Sequence, residues 1–123
     1  MKRIIMFITI LVITLVSQNV YATNYNIKEL INEGRIILEY AYQTEGTCSK
    51  VITFTLTGNV VTNVHFVGGC PGNLQALPRL VEGMTVEEIE KKLSGIDCAG
   101  RGTSCADQLA RAVKKAYEES KNK

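Results

Sequence analysis

The fold is decided by residues 51–67, which read VITFTLTGNVVTNVHFV. In the first half of this stretch apolar side chains alternate with threonines, so that Ile52, Phe54 and Leu56 share one side of an extended chain. Gly58-Asn59 is a two-residue hairpin signal, and the chain after it returns with further β-branched and aromatic residues. The stretch therefore predicts two antiparallel strands with one apolar face in common.

The segments on either side extend this hairpin into a domain. Residues 36–43, IILEYAYQ, predict a further strand, and in the returning strand Val60, Val64 and Phe66 are expected on the core face. Three amphipathic helical segments follow, and capping boxes are predicted at Thr85/Glu88 and Ser104/Asp107. Strands first and helices afterwards predict an α+β fold: an antiparallel three-stranded meander followed by two or three helices packed on one face.

The first of these helical segments carries an internal proline. Asn73 is expected to cap it, and Pro78 is expected to kink or split it, because proline cannot donate a hydrogen bond to Leu74. The polar end of the chain, residues 118–123, is predicted to fray.

The N-terminal residues have the three parts of a secretory leader. Lys2-Arg3 is basic, residues 4–16 are apolar apart from two threonines, and Ala22 ends a small-residue cleavage pattern. We expect a signal peptide over residues 1–22 and an exported protein, periplasmic or extracellular. A buried core helix and an uncleaved membrane anchor are the alternatives. Residues 23–35 are expected to form a helical extension, because Asn26 and Glu29 fit a capping box.

Composition narrows the class of protein. Removing residues 1–22 takes away Lys2 and Arg3 and leaves 101 residues with 12 basic and 12 acidic side chains. That length suits one domain, and the neutral balance gives no nucleic-acid signal; contact with a membrane is expected only through an uncleaved leader. The glycine-rich turn at residues 68–72 is neither a P-loop nor a dinucleotide-binding fingerprint, so nucleotide binding stays open.

Four cysteines are the candidate functional residues, and they are Cys48, Cys70, Cys98 and Cys105. Each lies in a turn-like segment or at a helix start, where thiolates can be stabilised. The meander is expected to bring Cys48 and Cys70 to one end of the sheet, and packing of the helices on one face would bring the other two there. Their spacing includes no C-x-x-C pair. Three chemistries remain open: a tetrahedral metal site, two disulfides, or a redox dithiol made by Cys98 and Cys105. The lone His65 is expected to face solvent rather than a metal.

Motifs around these cysteines resemble the TSCPD domain family over residues 42–115. The landmarks are residues 46–50 (GTCSK), 68–74 (GGCPGNL), 80–84 (LVEGM), 95–98 (GIDC) and 102–110 (GTSCADQLA). Ala106 replaces the proline of the name-giving tetrad, a change that removes some rigidity but no ligand. We expect residues 36–117 to be the TSCPD-like domain.

The resemblance carries functional expectations. The family occurs alone and at the C-terminal end of adenosylcobalamin-dependent ribonucleotide reductases, so it implies a thiol or metal module linked to deoxynucleotide synthesis. It also implies a cytoplasmic location, in contrast to the export that the leader predicts. The reductase reaction itself needs a radical-generating cofactor and a large barrel, which this chain is too small to contain. A fainter likeness to iron–sulfur scaffold proteins would use Cys48, Cys70 and either Cys98 or Cys105.

The leading expectation is a non-catalytic module. Zinc is the expected cofactor, with an iron–sulfur cluster second, and Cys48, Cys70, Cys98 and Cys105 are the expected ligands; no catalytic residue is assigned. The expected partner is a larger reductase or nucleotide-metabolising enzyme. A thiol redox relay and an exported domain with two structural disulfides remain the alternatives.

Overall fold

A computed structural model describes residues 28–32 and 35–123 of the chain. In chain order the strands are β1 (Lys28–Asn32), β2 (Arg35–Gln43), β3 (Ser49–Thr57) and β4 (Val60–Gly68), and the helices are α1 (Asn73–Val81), α2 (Val86–Leu93) and α3 (Cys105–Lys121).

The strands form one antiparallel sheet in the order β1-β2-β3-β4. The α+β class is confirmed, and the three predicted strands are present as β2, β3 and β4. The described sheet has a fourth strand at the edge beside β2, where the sequence had predicted a helix.

The predicted helical extension over residues 23–35 is wrong where the structure describes it. Lys28–Asn32 is strand β1, and its register pairs Asn32 with Arg35. Only Glu33 and Gly34 separate the strands in the sequence, which is the length of a tight hairpin connection. Pairing with β2 therefore overrides the local capping pattern. The predicted leader, residues 1–22, lies outside the described residues.

The core lies between the sheet and helices α2 and α3. Ile52, Phe54 and Leu56 are buried, as their alternation predicted. Tyr40 stacks on Phe54 with ring centroids 5.4 Å apart, and its hydroxyl donates to the Ala116 carbonyl of α3 at 3.2 Å. Burial, and after it the charge of Glu119, raises the pKa of Tyr40 to about 12, so the phenol stays a donor. From the helices the core takes Val86, Ile89, Leu109, Val113 and Ala116.

A bulge in β4 corrects one predicted core position. Thr53 pairs with His65 but Thr55 pairs with Thr62, so two residues of β4 lie opposite one residue of β3. One of the two, Asn63, has a φ of 53°. The extra residue shifts the alternation, and Val61 is fully buried in place of the predicted Val60. Val64 and Phe66 are buried as predicted.

Helix ends follow the capping signals in part. The Thr85/Glu88 capping box is confirmed, with both reciprocal hydrogen bonds present. Helix α1 continues through Pro78 without splitting, and its N-cap is Gly72 rather than Asn73.

The predicted frayed tail, residues 118–123, is helical as far as Lys121. This last turn is supported by the Lys121 ammonium, which lies 4.0 Å from the centre of the Tyr117 ring. In the described part of the chain, no helix has the length and apolar character needed to cross a membrane.

We predict that the buried face of the sheet determines stability. Ile52 is 0% exposed and Ile36 is 58% exposed, so the same substitution can be compared at a buried and at an exposed position. Ile52→Ala should lower the free energy of unfolding by about 2–5 kcal/mol, because it removes buried contacts and leaves a cavity. Ile36→Ala should change it by less than about 0.5 kcal/mol. Urea denaturation followed by circular dichroism measures both, and equal losses would contradict the assignment of the core.

Candidate functional site

Three of the four cysteines lie on three separate connections, and the fourth begins a helix. Cys48 is in the turn between β2 and β3, and Cys70 follows the end of β4. Cys98 is in the loop between α2 and α3, and Cys105 is the first residue of α3. Because β3 and β4 are antiparallel, the start of β3 and the end of β4 meet at one end of the sheet, and α3 begins beside them.

Three of the four sulfur atoms are in contact. The Cys48 Sγ lies 3.9 Å from the Cys70 Sγ and 3.7 Å from the Cys105 Sγ. All four side chains are free thiols; Cys105 is half-buried and the other three are exposed. Cys98 lines the same pocket, but its sulfur contacts no other cysteine sulfur of the described chain. The structure thus places Cys48 at the centre of the cluster, between two neighbours.

An apolar pocket of about 360 Å³ opens beside the sulfurs. Leu74, Leu77 and Leu80 of α1 form one wall, and Ile96 contributes from the loop before α3. Leu80 is 69% exposed and Ile96 is 42% exposed, so these aliphatic side chains face solvent next to the thiols. The cluster is therefore open on the side of this wall.

A buried chain of hydrogen bonds holds the turn of Cys48 against α3. The Glu45 amide donates to the Gln108 Oε1 at 3.2 Å, and the Gln108 Nε2 donates to the Thr103 hydroxyl at 3.0 Å. The Thr103 hydroxyl in turn donates to the Asp107 Oδ2 at 2.7 Å. This chain of contacts brings Cys48 to the start of α3, where Cys105 lies.

The loop of Cys98 is organised by two aspartates. The Asp107 Oδ1 accepts the Gly95 amide at 2.8 Å, which ties the start of the loop to α3. The Asp97 carboxylate accepts the amides of Gly100 and Gly102, and the Cys98 amide donates to the Thr103 carbonyl at 3.1 Å. The loop backbone is thus fixed, although the Cys98 side chain is exposed.

Asp107 departs from its predicted role in a reciprocal capping box. Ser104 is the N-cap of α3 and accepts the Asp107 amide, as expected. The Asp107 carboxylate, however, bonds to Gly95 and Thr103 and to Arg111, whose guanidinium lies 2.8 Å away. Asp107 is 3% exposed, so this carboxylate links two segments of the site inside the protein.

Acidity differs between the exposed thiols Cys48 and Cys70. The pKa of Cys48 lies below its usual value because its sulfur accepts hydrogen bonds from the Cys105 thiol and, next in importance, from the backbone amide of Cys70. The pKa of Cys70 is raised because its thiol is engaged with Cys48, whose negative charge disfavours a second thiolate. Of this pair, Cys48 ionises first.

Gly69 permits the close approach of Cys48 and Cys70. Its φ is +93°, and a Cβ atom built there would clash with the Leu74 Cδ1 and lie 3.4 Å from the Cys48 Sγ. Only glycine fits both the backbone conformation and the space.

The predicted site residues are gathered only in part. Cys48, Cys70 and Cys105 are in contact and Cys98 borders the same pocket, whereas His65 is exposed on the strand β4. Across residues 28–32 and 35–123, no group of three or more His, Cys, Asp or Glu side chains is arranged so that it could hold a metal ion as it stands.

Sequence reasoning gave no role to Thr103 or Gln108. The burial of Gln108 could have been predicted from its position in the helix. It lies four residues before the buried Ala112 and eight before the buried Ala116, on the core face of α3. A polar residue at such a place needs a buried partner.

Comparison with known proteins gives one result. The family model of the TSCPD domain matches residues 35–117, well over half of the chain. No curated protein and no solved structure matches it. The resemblance carried by the cysteine motifs is thereby confirmed.

We predict that Gly69→Ala disturbs the site and Gly72→Ala does not. The first change forces a left-handed backbone onto alanine and inserts a methyl group against Leu74, at a cost of about 1–3 kcal/mol. Gly72 has a φ of −69° and open space around its Cα, so alanine there is tolerated. Thermal unfolding and the rate of Cys48 alkylation measure the effect. Equal unfolding temperatures and equal alkylation rates of the two variants would contradict a close approach of Cys48 and Cys70 that depends on Gly69.

We predict an acid-sensitive contribution of Asp107 to stability. Burial alone raises the pKa of Asp107, but the hydrogen bonds from Thr103 and Gly95 and the charge of Arg111 outweigh burial and hold it below the usual value. The Asp107 carboxylate therefore gives its full contribution to the free energy of unfolding at pH values above the unfolded-state pKa, about 3.9. This contribution is lost as the pH falls through the folded-state pKa.

Asp107→Asn isolates this contribution. At pH 7 it should lower the free energy of unfolding by about 1–3 kcal/mol, because hydrogen-bond donors are left without a charged acceptor. The gap between wild type and variant should narrow as urea denaturation is repeated from pH 5 towards pH 3. A gap that stays constant over that range would show that the carboxylate charge is not the stabilising group.

Proposed function

Because this chain belongs to the TSCPD domain family, we propose that it is a zinc-binding module without catalytic activity of its own. Cys48, Cys70 and Cys105 are the central ligands, and Cys98 supplies the fourth thiolate. Four thiolates are a donor set that suits zinc in a closed structural site.

The spacing of the sulfur atoms is the observation that carries the proposal. A zinc ion held tetrahedrally at about 2.3 Å from each sulfur separates the sulfurs by about 3.8 Å. The Cys48–Cys105 and Cys48–Cys70 separations, 3.7 and 3.9 Å, agree with two edges of such a tetrahedron. A disulfide would need about 2.05 Å, well below either distance. The spacing thus supports a single ion ahead of structural disulfides.

Completion of the site requires the side chain of Cys98 to turn. As it stands, the described part of the chain holds no finished metal group. The Cys98 side chain is exposed and has no hydrogen bond there, so its rotation towards the other sulfurs breaks no hydrogen bond. The loop backbone can stay in place, because Asp97 and Thr103 hold it through backbone amides and a carbonyl.

Zinc is favoured over an iron–sulfur cluster by the same spacing. Each iron of a [2Fe–2S] cluster carries two of the four cysteine sulfurs, and each iron of a [4Fe–4S] cluster carries one, so neither cluster gives one sulfur two close cysteine neighbours. Contacts between neighbouring cysteine sulfurs at 3.7 and 3.9 Å suit a single ion.

The partner that we propose is a larger protein, for which a reductase of deoxynucleotide synthesis is the family-based candidate. The exposed aliphatic side chains of Leu80 and Ile96 beside the pocket support contact with a partner close to the proposed metal site. The leader pattern of residues 1–22 supports an exported location instead, where such a partner would be absent. Localisation of the full chain in its host distinguishes these two settings.

Zinc analysis tests the proposal. Full-length protein purified under reducing conditions should contain about one equivalent of zinc, and Cys48→Ser should contain less than about half, since a lost thiolate opens the site. His65→Ala is the matched control, because His65 is exposed on the sheet and away from the sulfur cluster, and it should keep the full equivalent. Replacing zinc by cobalt reports thiolate ligation through a charge-transfer band. Wild-type protein with less than about half an equivalent of metal would overturn the proposal.

A further inference from the structure

We propose that Cys48 is a member of every disulfide that the metal-free cluster forms within one chain. Each such disulfide removes two of the four zinc ligands, so that oxidation of Cys48 releases the ion. The release of zinc rests on the proposed function. The participation of Cys48 in every disulfide concerns the thiols alone and does not depend on zinc binding.

The position of Cys48 among the sulfurs leads to this inference. Its Sγ contacts those of Cys70 and Cys105 at 3.9 and 3.7 Å, and these are the sulfur–sulfur contacts in the described part of the chain. Disulfide formation needs an approach of about 2 Å more, which a side-chain rotation of an exposed cysteine provides. Cys48 is exposed, so an oxidant reaches it from solvent. Any disulfide formed from the observed arrangement therefore includes Cys48.

The reaction with a peroxide balances as two steps. The Cys48 thiol first loses its proton; the thiolate attacks one peroxide oxygen, the O–O bond breaks, and the departing hydroxide takes up that proton and leaves as water while the sulfur becomes a sulfenic acid. The thiol of Cys70 or Cys105 then ionises and its thiolate attacks the Cys48 sulfur; the S–S bond forms, the S–O bond breaks, and the departing hydroxide takes up the released proton as a second water. Two thiols are oxidised and one peroxide is reduced.

The third sulfur of the cluster then becomes an exchange partner. If Cys48 is bonded to Cys105, the Cys70 thiolate can attack the Cys48 sulfur and displace Cys105, because both neighbours contact the same atom. The disulfide can therefore exchange between the Cys48–Cys105 and Cys48–Cys70 pairs. Because three sulfurs make at most one disulfide, a second cannot form among these residues.

Cys98 is left out of this exchange. Its amide donates to the Thr103 carbonyl at 3.1 Å within a loop that is also closed by Asp97, and its sulfur is not in contact with that of Cys105. The pairs that Cys48 makes with Cys70 and Cys105 are already in contact, so they react ahead of the dithiol of Cys98 and Cys105 that the sequence suggested.

Thiol counting after oxidation tests the proposal. The full-length chain is stripped of metal with a chelator and treated with hydrogen peroxide. Remaining thiols are alkylated, counted by intact mass, and assigned by peptide mapping without reductant. Wild type should lose two thiols to one disulfide. Cys70→Ser and Cys105→Ser should each still form one disulfide, and Cys48→Ser should form none within the chain.

Cys98→Ser is the matched control and should oxidise as wild type does, with a disulfide that includes Cys48. Circular dichroism confirms that each variant is folded before oxidation. An intramolecular disulfide in Cys48→Ser, or a wild-type disulfide that does not contain Cys48, would overturn the proposal. A protein that binds no zinc but shows this pattern would refute the zinc module and leave the role of Cys48 intact. Zinc-loaded wild type should release its metal into a colorimetric chelator in step with the Cys48 disulfide.

Discussion

The buried hydrogen-bond chain through Asp107, Thr103 and Gln108 is the constraint on which the site depends. These three side chains lie at the start of α3, yet their partners belong to the β2–β3 turn and to the loop before the helix. A buried carboxylate and amide are costly unless every group is paired, so the network is stable in one arrangement only. That arrangement sets the backbone around Cys48, Cys98 and Cys105.

The sheet supplies the other half of the site. A second register shift, between Ser49 and Val51, leaves Lys50 as the extra residue of β3 opposite the end of β4. Gly69, directly after β4, packs without a side chain against Ser49 and Cys48. The strand ends fix Cys48 relative to Cys70, whereas the buried network fixes it relative to Cys105. Cys48 lies where the two constraints meet, which explains why its sulfur has two neighbours.

Periodicity predicted what is local or repeats along an element. The alternation around Phe54 and the Thr85 capping box determine the strand, its buried face and the helix start. Strand β1 was missed because a capping pattern depends only on residues close in sequence. Pairing with β2 instead provides hydrogen-bond partners for the backbone along the whole strand. Val61 was missed because one inserted residue in the bulge reverses the alternation. Topology brought the cysteines to one end of the sheet, but the distances depend on Gln108, whose partner at Glu45 is 63 residues away.

The same constraints divide the cluster into fixed and adjustable parts. Cys105 belongs to a helix that the core anchors, and Cys70 is confined by the turn at Gly69. Cys98 has a fixed backbone but an unrestrained, exposed side chain. A site of this kind can accept a fourth ligand by one rotation while the three contacting sulfurs stay close together. Because Cys48 contacts both neighbours, the feature from which we propose a single-ion site is also the one that, in our further proposal, concentrates disulfide chemistry on one residue. In the proposed zinc module, metal binding and oxidation would therefore compete for the same sulfur atom.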